Sequence, residues 1–263
     1  MLNYNFIIEK SQKERIDRVT VEREYWQLLF LQKLYQLKGS QNIYFKGGTA
    51  IRFFYQSFRF SEDLDFTSTI SKKETENILF EVFNFLKADI KNDLEIVKEL
   101  TPKRFELDSA KFRLLFFPYK SKHKTSIRID VSFREKPQSK EVDVLIPFDY
   151  PIIPYPLGVH LSAKELLAEK IRALFKRGKP RDLFDLWFLL TKKIPIDEDL
   201  VKFKFKYYPG LVFSMDRLIK LVSEYDESEL KNDLNQFLPE QYRNFYKQLK
   251  DEALKVIIQM EKN

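Results

Sequence analysis

No cysteine occurs among the 263 residues. This excludes a disulfide scaffold, a thiolate metal centre and a cysteine nucleophile. Histidine is nearly as scarce: His123 and His160 are the two present, so a His-rich zinc site is excluded too. No apolar run approaches the ~20 residues needed to span a bilayer. The opening stretch MLNYNFIIEKSQKERIDR has no apolar signal-peptide segment. A cytoplasmic protein with no membrane association is the expectation. Against these absences, hydrophobic residues make up 44% and charged residues 32% of the chain. That is enough to build a core and excludes wholesale disorder. At roughly 100–200 residues per domain, the length suits one large domain or two small ones.

The formal net charge of +7 is unevenly placed. Lys98 to Arg128 holds nine Lys/Arg against three acids, and Lys164 to Arg181 holds seven against two. The remainder of the chain is mildly acidic. Two basic segments in such a background suit a phosphate-rich partner; solvated helix and strand faces would look the same. The abundant Phe and Tyr sit mostly at core-like spacing, although aromatics can also stack on bases.

Along the chain, Thr20 to Leu37 reads as an amphipathic helix with Thr20 as cap and Gly39 as terminator. Asn42 to Lys46 is a short strand broken by Gly47-Gly48, and a helix follows over Thr49 to Gln56. Asp63 to Thr67 alternates as a half-buried strand does. After a helix over Ser71 to Lys87, strand-like runs cover Leu94–Leu100, Lys111–Tyr119, Thr125–Arg134 and Glu141–Ile146. A proline-rich connector, Pro147 to Pro156, leads to helical periodicity from Leu161 to Arg177, with Ser162 as cap and Glu165 at the capping-box position. Arg181 to Lys192 is a second helix, and helices continue to the C-terminus, the last over Pro239 to Met260. The expected organisation is an α/β (α+β) core with a mixed sheet over residues 1–155, then a helical domain over 156–263.

Four pieces carry chemistry. Lys46-Gly47-Gly48-Thr49 is a strand, two glycines and a helix start; glycines admit a close ligand and helix N–H groups favour an anion. Taken alone it is equally a plain turn. Asp63-Leu64-Asp65-Phe66 places two carboxylates on one strand face, where a divalent cation would relieve their repulsion; a solvent-facing strand would show the same pattern. Asp130 lies in SIRIDVSF, where Ile127, Ile129, Val131 and Phe133 form one face and Arg128, Asp130 and Ser132 the other. It is either a surface residue or a third carboxylate. The helical pair AEKIRALFKRGKPRDLFDLW places Lys170, Arg177, Arg181, Asp182 and Asp185 near one another, as surface ion pairs or as groups for a triphosphate.

The order KGGTAIRFFY, RFSEDLDF, AEKIRALFKR, RDLFDLW resembles the AbiEii/AbiGii-type toxin family of nucleotidyltransferases, within the polymerase-beta-like superfamily, from about Glu22 to Leu190. The resemblance implies a nucleotidyltransferase palm with an added helical region. It implies that Lys46, Gly47, Gly48, Thr49 and Arg59 meet the nucleotide, together with Lys170, Arg177, Arg181 and Asp182. It implies metal at Asp63, Asp65 and Asp130, with magnesium as the ion, manganese as an alternative, and NTP as substrate. Asp63, Asp65, Asp130, Lys170 and Asp185 would be the catalytic set, the last two supplied by the helical domain. RNA is the implied acceptor, with the tRNA 3′ end in first place, growth arrest the outcome and a cognate antitoxin the protein partner. One departure is Gly-Gly-Thr where classical nucleotidyltransferases have Gly-Ser. Two further readings stand beside this one. One is nucleotidyl or phosphoryl transfer onto a protein or small molecule; the other is a catalytically inactive nucleotide- or RNA-binding module.

Overall fold

The computed structural model describes residues 4–89, 94–99, 108–146, 148–152 and 157–261. The expected strand end at Leu100, part of the first basic segment (100–107), and connector residues 147 and 153–156 lie outside them. The chain divides into two compact units, Met1–Gln56 with Phe60–His160, and Ser57–Arg59 with Leu161–Asn263.

The first unit runs α1 (Tyr4–Glu14), α2 (Arg18–Leu34), β1 (Ile43–Lys46), α3 (Gly47–Tyr55), β2 (Leu64–Ser68), α4 (Lys72–Asp89), β3 (Glu95–Lys98), β4 (Ser109–Phe116), β5 (Thr125–Ser132), β6 (Lys140–Val144) and β7 (Leu157–Leu161). The strands form one mixed sheet in the order β3-β4-β5-β2-β1-β7-β6. β2 is antiparallel to β1 and parallel to β5. Alternation explains β5: Ile127, Ile129 and Val131 are buried while Arg128 is exposed and Asp130 half-buried. In the same way Leu64 and Phe66 of β2 enter the core on either side of Asp65. A buried Arg52–Glu24 ion pair ties α3 to α2, with the Arg52 guanidinium 3.7 Å over the Phe60 ring.

Several boundaries differ from the sequence reading. Asp17 caps α2: its carboxylate accepts from the Thr20 N–H at 2.9 Å and from the Thr20 hydroxyl at 2.6 Å, so Thr20 lies inside the helix. Helix α3 starts at the glycines themselves, with Lys46 as its cap residue. Two elements were not expected. One is α1, a largely polar helix. The other is β7, a five-residue run in which Leu157, Val159 and Leu161 alternate with Gly158 and His160 directly after the proline-rich connector, and whose His160 pairs with Phe45 of β1 in parallel.

The second unit holds α5 (Ala163–Arg177), α6 (Pro180–Thr191), α7 (Glu198–Phe205), α8 (Met215–Ser223), α9 (Glu227–Leu234) and α10 (Tyr246–Glu261). Ser162 caps α5 by accepting from the Glu165 N–H at 3.3 Å, Gly178 ends it in a left-handed turn, and Pro180 opens α6. Residues 57–59 belong here. Phe58 packs at 4.3 Å from Tyr242 and 5.0 Å from Phe184, between ring centroids.

A buried ion network holds α5, α6 and this short segment together. Arg59 forks onto Asp185, Nε to Oδ1 at 2.9 Å and Nη2 to Oδ2 at 2.8 Å. Lys170 Nζ lies 2.7 Å from Asp185 and 3.1 Å from Asp182. Arg177 forks onto Asp182 at 2.7 and 2.9 Å. Burial alone would push the Asp182 carboxyl up, but Lys170 and Arg177 outweigh it and hold that carboxyl well below the ordinary range. Burial likewise works against the Lys170 ammonium, and Asp185 and Asp182 raise its pKa regardless.

Two expectations follow from this architecture. Gly47 has φ +79°, and an added Cβ would overlap Asp65 Oδ2 and lie 3.1 Å from Asp65 Cγ. Gly47→Ala should therefore lower stability by about 1–3 kcal/mol, a fall in melting temperature of very roughly 2–10 °C for a chain of this size. A melting curve superimposable on wild type would show that the turn tolerates a side chain. The second concerns acid. A carboxyl depressed in the folded state contributes stability that is complete above its unfolded pKa of ~3.9 and is lost as pH falls toward the folded value. Urea unfolding followed by Trp187 fluorescence, in a Trp26→Phe background, should thus weaken progressively below pH 4. Asp182→Asn should cost about 1–3 kcal/mol at pH 7, because the buried Lys170 ammonium loses one of its two carboxylates while the half-exposed Arg177 is taken up by water, and should flatten the acid limb. Equal stability of Asp182→Asn and its parent at pH 7 would remove the network as the tie between α5 and α6.

Candidate active site

In the first unit the site residues gather at one end of β2 and β5. Asp65 and Asp130 are register partners on these adjacent parallel strands. Asp63 stands immediately before β2. Asp130 responds to its neighbours: burial pushes its carboxyl up, the Lys111 ammonium opposes this, and the negative charge of Asp63 pushes it up further. The β1–α3 turn meets the same place. The Asp65 carboxylate occupies the space a Cβ on Gly47 would fill, so a glycine at that position is what lets the carboxylate reach the turn. Lys46, the cap residue of α3, makes no side-chain cap hydrogen bond, and the positive end of the helix faces the Asp65 carboxylate at the Gly47 turn. The buried Thr49 hydroxyl donates to the Asp63 carbonyl, fixing the loop that carries Asp63 to the start of α3. Lys46 ends β1 opposite Asp65 in the antiparallel register.

Arg128 is the residue the sequence reading passed over. Its Nε donates to Asp63 Oδ1 at 3.0 Å and its Nη2 to Oδ2 at 3.1 Å. Asp63, and with smaller effect Asp130 and Glu62, raise the guanidinium pKa. The strand alternation that separates Arg128, Asp130 and Ser132 from the apolar face carries the signal for it. Lys111 stands opposite Asp130 in the β4–β5 register, so each of the three acids has a basic neighbour.

In the second unit, Arg59, Lys170, Arg177, Asp182 and Asp185 converge in the buried network described above. Arg181 departs from them. Its backbone N–H and its side chain both engage Asp233, and its guanidinium lies 4.8 Å over the Phe237 ring.

The carboxylate oxygens of Asp63, Asp65 and Asp130 are hard donors of the kind magnesium or manganese takes, but the three do not offer ligand atoms all within 4.8 Å of one another. A different group comes closer to a ready-made ligand cluster. Among the described residues, Glu141, Asp143 and His160 have ligand atoms all within 4.8 Å of one another. These groups have protein partners: His160 Nε2 pairs with Asp143 at 3.0 Å, and the Tyr55 hydroxyl donates to Glu141 at 2.7 Å. The ring of His160 stacks on Phe54 at 3.7 Å. Nothing in the sequence spacing marked this trio.

Comparison with known proteins places the arrangement. The curated protein aq_aa25 of Aquifex aeolicus (strain VF5), itself uncharacterized, is 25% identical over 233 residues, which cover 84% of this chain and 93% of that protein. Three solved structures share the fold. MenT4, the nucleotidyltransferase toxin Rv2826c from Mycobacterium tuberculosis H37Rv, superposes with a TM-score of 0.68 at 18% identity, covering 98% of this chain and 90% of its own. JHP933 from Helicobacter pylori gives 0.55 at 20%, covering 94% and 95%. A second H. pylori protein, proposed to be a nucleotidyltransferase, gives 0.56 at 21%, covering 94% and 98%. The family model for the nucleotidyl transferase AbiEii toxin of type IV toxin–antitoxin systems matches residues 29–256. The chain belongs to this AbiEii nucleotidyltransferase family.

Proposed function

We propose that the protein transfers a nucleoside monophosphate from an NTP to RNA, with the tRNA 3′ end as acceptor, in a magnesium-dependent reaction that arrests growth. The observation that supports the reading is that Asp65 and Asp130 are register partners, with Asp63 immediately before β2 and the Asp65 carboxylate against the Gly47 turn that opens α3. Asp63, Asp65 and Asp130 would hold the ion, which when bound neutralises charge on the triphosphate and on the departing pyrophosphate. The N–H groups of Gly48 and Thr49 at the start of α3 bind a phosphate of the nucleotide. Asp130, the acid whose carboxyl burial raises, orients the attacking hydroxyl and accepts its proton. Lys170 and Asp185, which the helical unit from Leu161 onward supplies, serve the same reaction. Lys170 acts as a permanently charged group for the triphosphate, and Asp185 holds that ammonium in place from 2.7 Å. Arg59 and Arg177 fix the two carboxylates that position Lys170.

The acceptor follows from the two basic segments, which favour a polyanion. The type IV system of the family implies an antitoxin protein as partner. Among the described residues no helix is long and apolar enough to cross a membrane, and we place the reaction in the cytoplasm, where RNA and NTP are found.

The test is label transfer from each of the four α-³²P NTPs onto total RNA with magnesium. Label should appear on a tRNA-sized band. It should fall by about a hundredfold or more in Asp65→Asn, the loss expected where several kcal/mol of charge stabilisation are removed. Lys170→Met should lose a similar amount while its melting curve reports whether the network still folds. Label on protein instead of RNA, or transfer from γ-³²P NTP alone, would sink the RNA nucleotidyltransferase reading.

A further inference from the structure

The acid end of the sheet already holds a cation. Arg128 forks onto both oxygens of Asp63 at 3.0 and 3.1 Å. Its placement is built into the sheet. Leu64 pairs with Ile129 and Asp65 with Asp130, so continuing the parallel register by one residue brings Arg128 opposite Asp63. The pair is not sealed: the Arg128 side chain is 49% exposed and that of Asp63 29%. A half-exposed ion pair is weak and exchangeable, whereas a buried one is held firmly. The other acids nearby have their own basic neighbours. Glu62 is paired with Arg23 at 2.9 Å, and Asp130 faces Lys111. Asp63 is thus the natural anion for Arg128.

Building on the metal and nucleotide reading above, we infer that Arg128 is the resident counter-ion of Asp63 and that metal binding there is a cation exchange completed by the nucleotide. A divalent ion at Asp63 must displace the guanidinium or sit beside a like charge. Bare metal meets that penalty alone. A metal–NTP complex removes it, because a triphosphate offers the released guanidinium a new anion, and arginine forks bind phosphate as well as carboxylate. Metal and nucleotide therefore bind with positive coupling, and each raises the affinity for the other by the same factor. Arg128 acts here through Asp63 and the phosphates, as a positioning residue that keeps the acids matched until substrate arrives.

Manganese titration followed by the EPR signal of free Mn²⁺ tests this on the full chain. It is run without nucleotide and with the pooled α,β-methylene analogues of the four NTPs. Wild type should bind bare Mn²⁺ weakly and gain strongly from the analogues. Arg128→Gln should bind bare Mn²⁺ roughly three- to tenfold more tightly, the scale of losing a part-exposed ion pair, and should gain less from the analogues. Arg128→Lys, which keeps the charge without the fork, should fall between them. Asp65→Asn separates the two layers of the argument. If its Mn²⁺ binding matches wild type, the metal reading fails and the inference goes with it. If Asp65→Asn loses binding but Arg128→Gln titrates like wild type, the metal reading stands and the exchange is overturned.

Discussion

Repulsion between carboxylates at one end of the β2–β5 pair is the constraint around which the first unit is arranged. Asp63, Asp65 and Asp130 stand on or beside adjacent parallel strands, and Asp63 and burial together push the Asp130 carboxyl up. Such crowding is costly without compensation, because like charges at close range favour protonation of one member. The chain compensates in register. Lys46 is opposite Asp65, Lys111 is opposite Asp130, and Arg128 is hydrogen-bonded to Asp63. The β1–α3 turn adds the positive end of a helix, and it can do so because Gly47 has no side chain where the Asp65 carboxylate lies. The apolar halves of the same strands, Leu64, Phe66, Ile127 and Ile129, are fully buried and hold the acids at that end.

The helical unit solves a different electrostatic problem. Asp182 and Asp185 are fully buried, and burial of a carboxylate is tolerated only when its charge is matched and its lone pairs are bonded. Three cations, Arg59, Lys170 and Arg177, meet these two acids. The consequence is a Lys170 that remains an ammonium in spite of burial, since the two carboxylates outweigh desolvation. Its ordinary ammonium pKa is raised further, so it is charged at neutral pH. In the same unit Phe58, Phe184, Trp187 and Phe245 form an aromatic cluster, and the Arg59 guanidinium lies 6.0 Å from the Phe184 ring.

What was legible in the sequence was local. Glycines after a short strand, alternation in β2 and β5, and the Ser162–Glu165 capping pair are decided within a few residues, and all appear where the pattern puts them. β7 was missed because its residues are chosen by their neighbours. Gly158 is small because Phe54 packs on it, and His160 is buried by stacking on the same ring. Leu157, Val159 and Leu161 still alternate with these two, but five residues beside a proline-rich connector are too short a run to stand out. The Arg59–Asp185 fork joins residues 126 apart, and no spacing rule reaches that far. Arg128 was visible as a polar position on the correct face, but its partner Asp63 lies on a strand segment 65 residues earlier, so its role needed the register. In the second unit, likewise, the pattern marked Arg181 as a companion of Asp182, and tertiary packing sent it to Asp233 instead.

The same chemical pair, an arginine fork on an aspartate, thus appears twice with opposite consequences, and exposure decides which. Arg59 and Asp185 are 2% and 1% exposed, so parting them would strand two charges in a medium that cannot solvate them. That pair is a permanent part of the fold. Arg128 and Asp63 are 49% and 29% exposed, so water accepts both partners when they separate, and what the pair holds together can be given up to a competing ion. On the proposed function, a place that admits a divalent cation suits the second kind. A group held charged and fixed suits the first. The chain places the exchangeable pair beside the carboxylates that would receive metal and the sealed pair beneath the lysine, and this division follows from burial rather than from residue type.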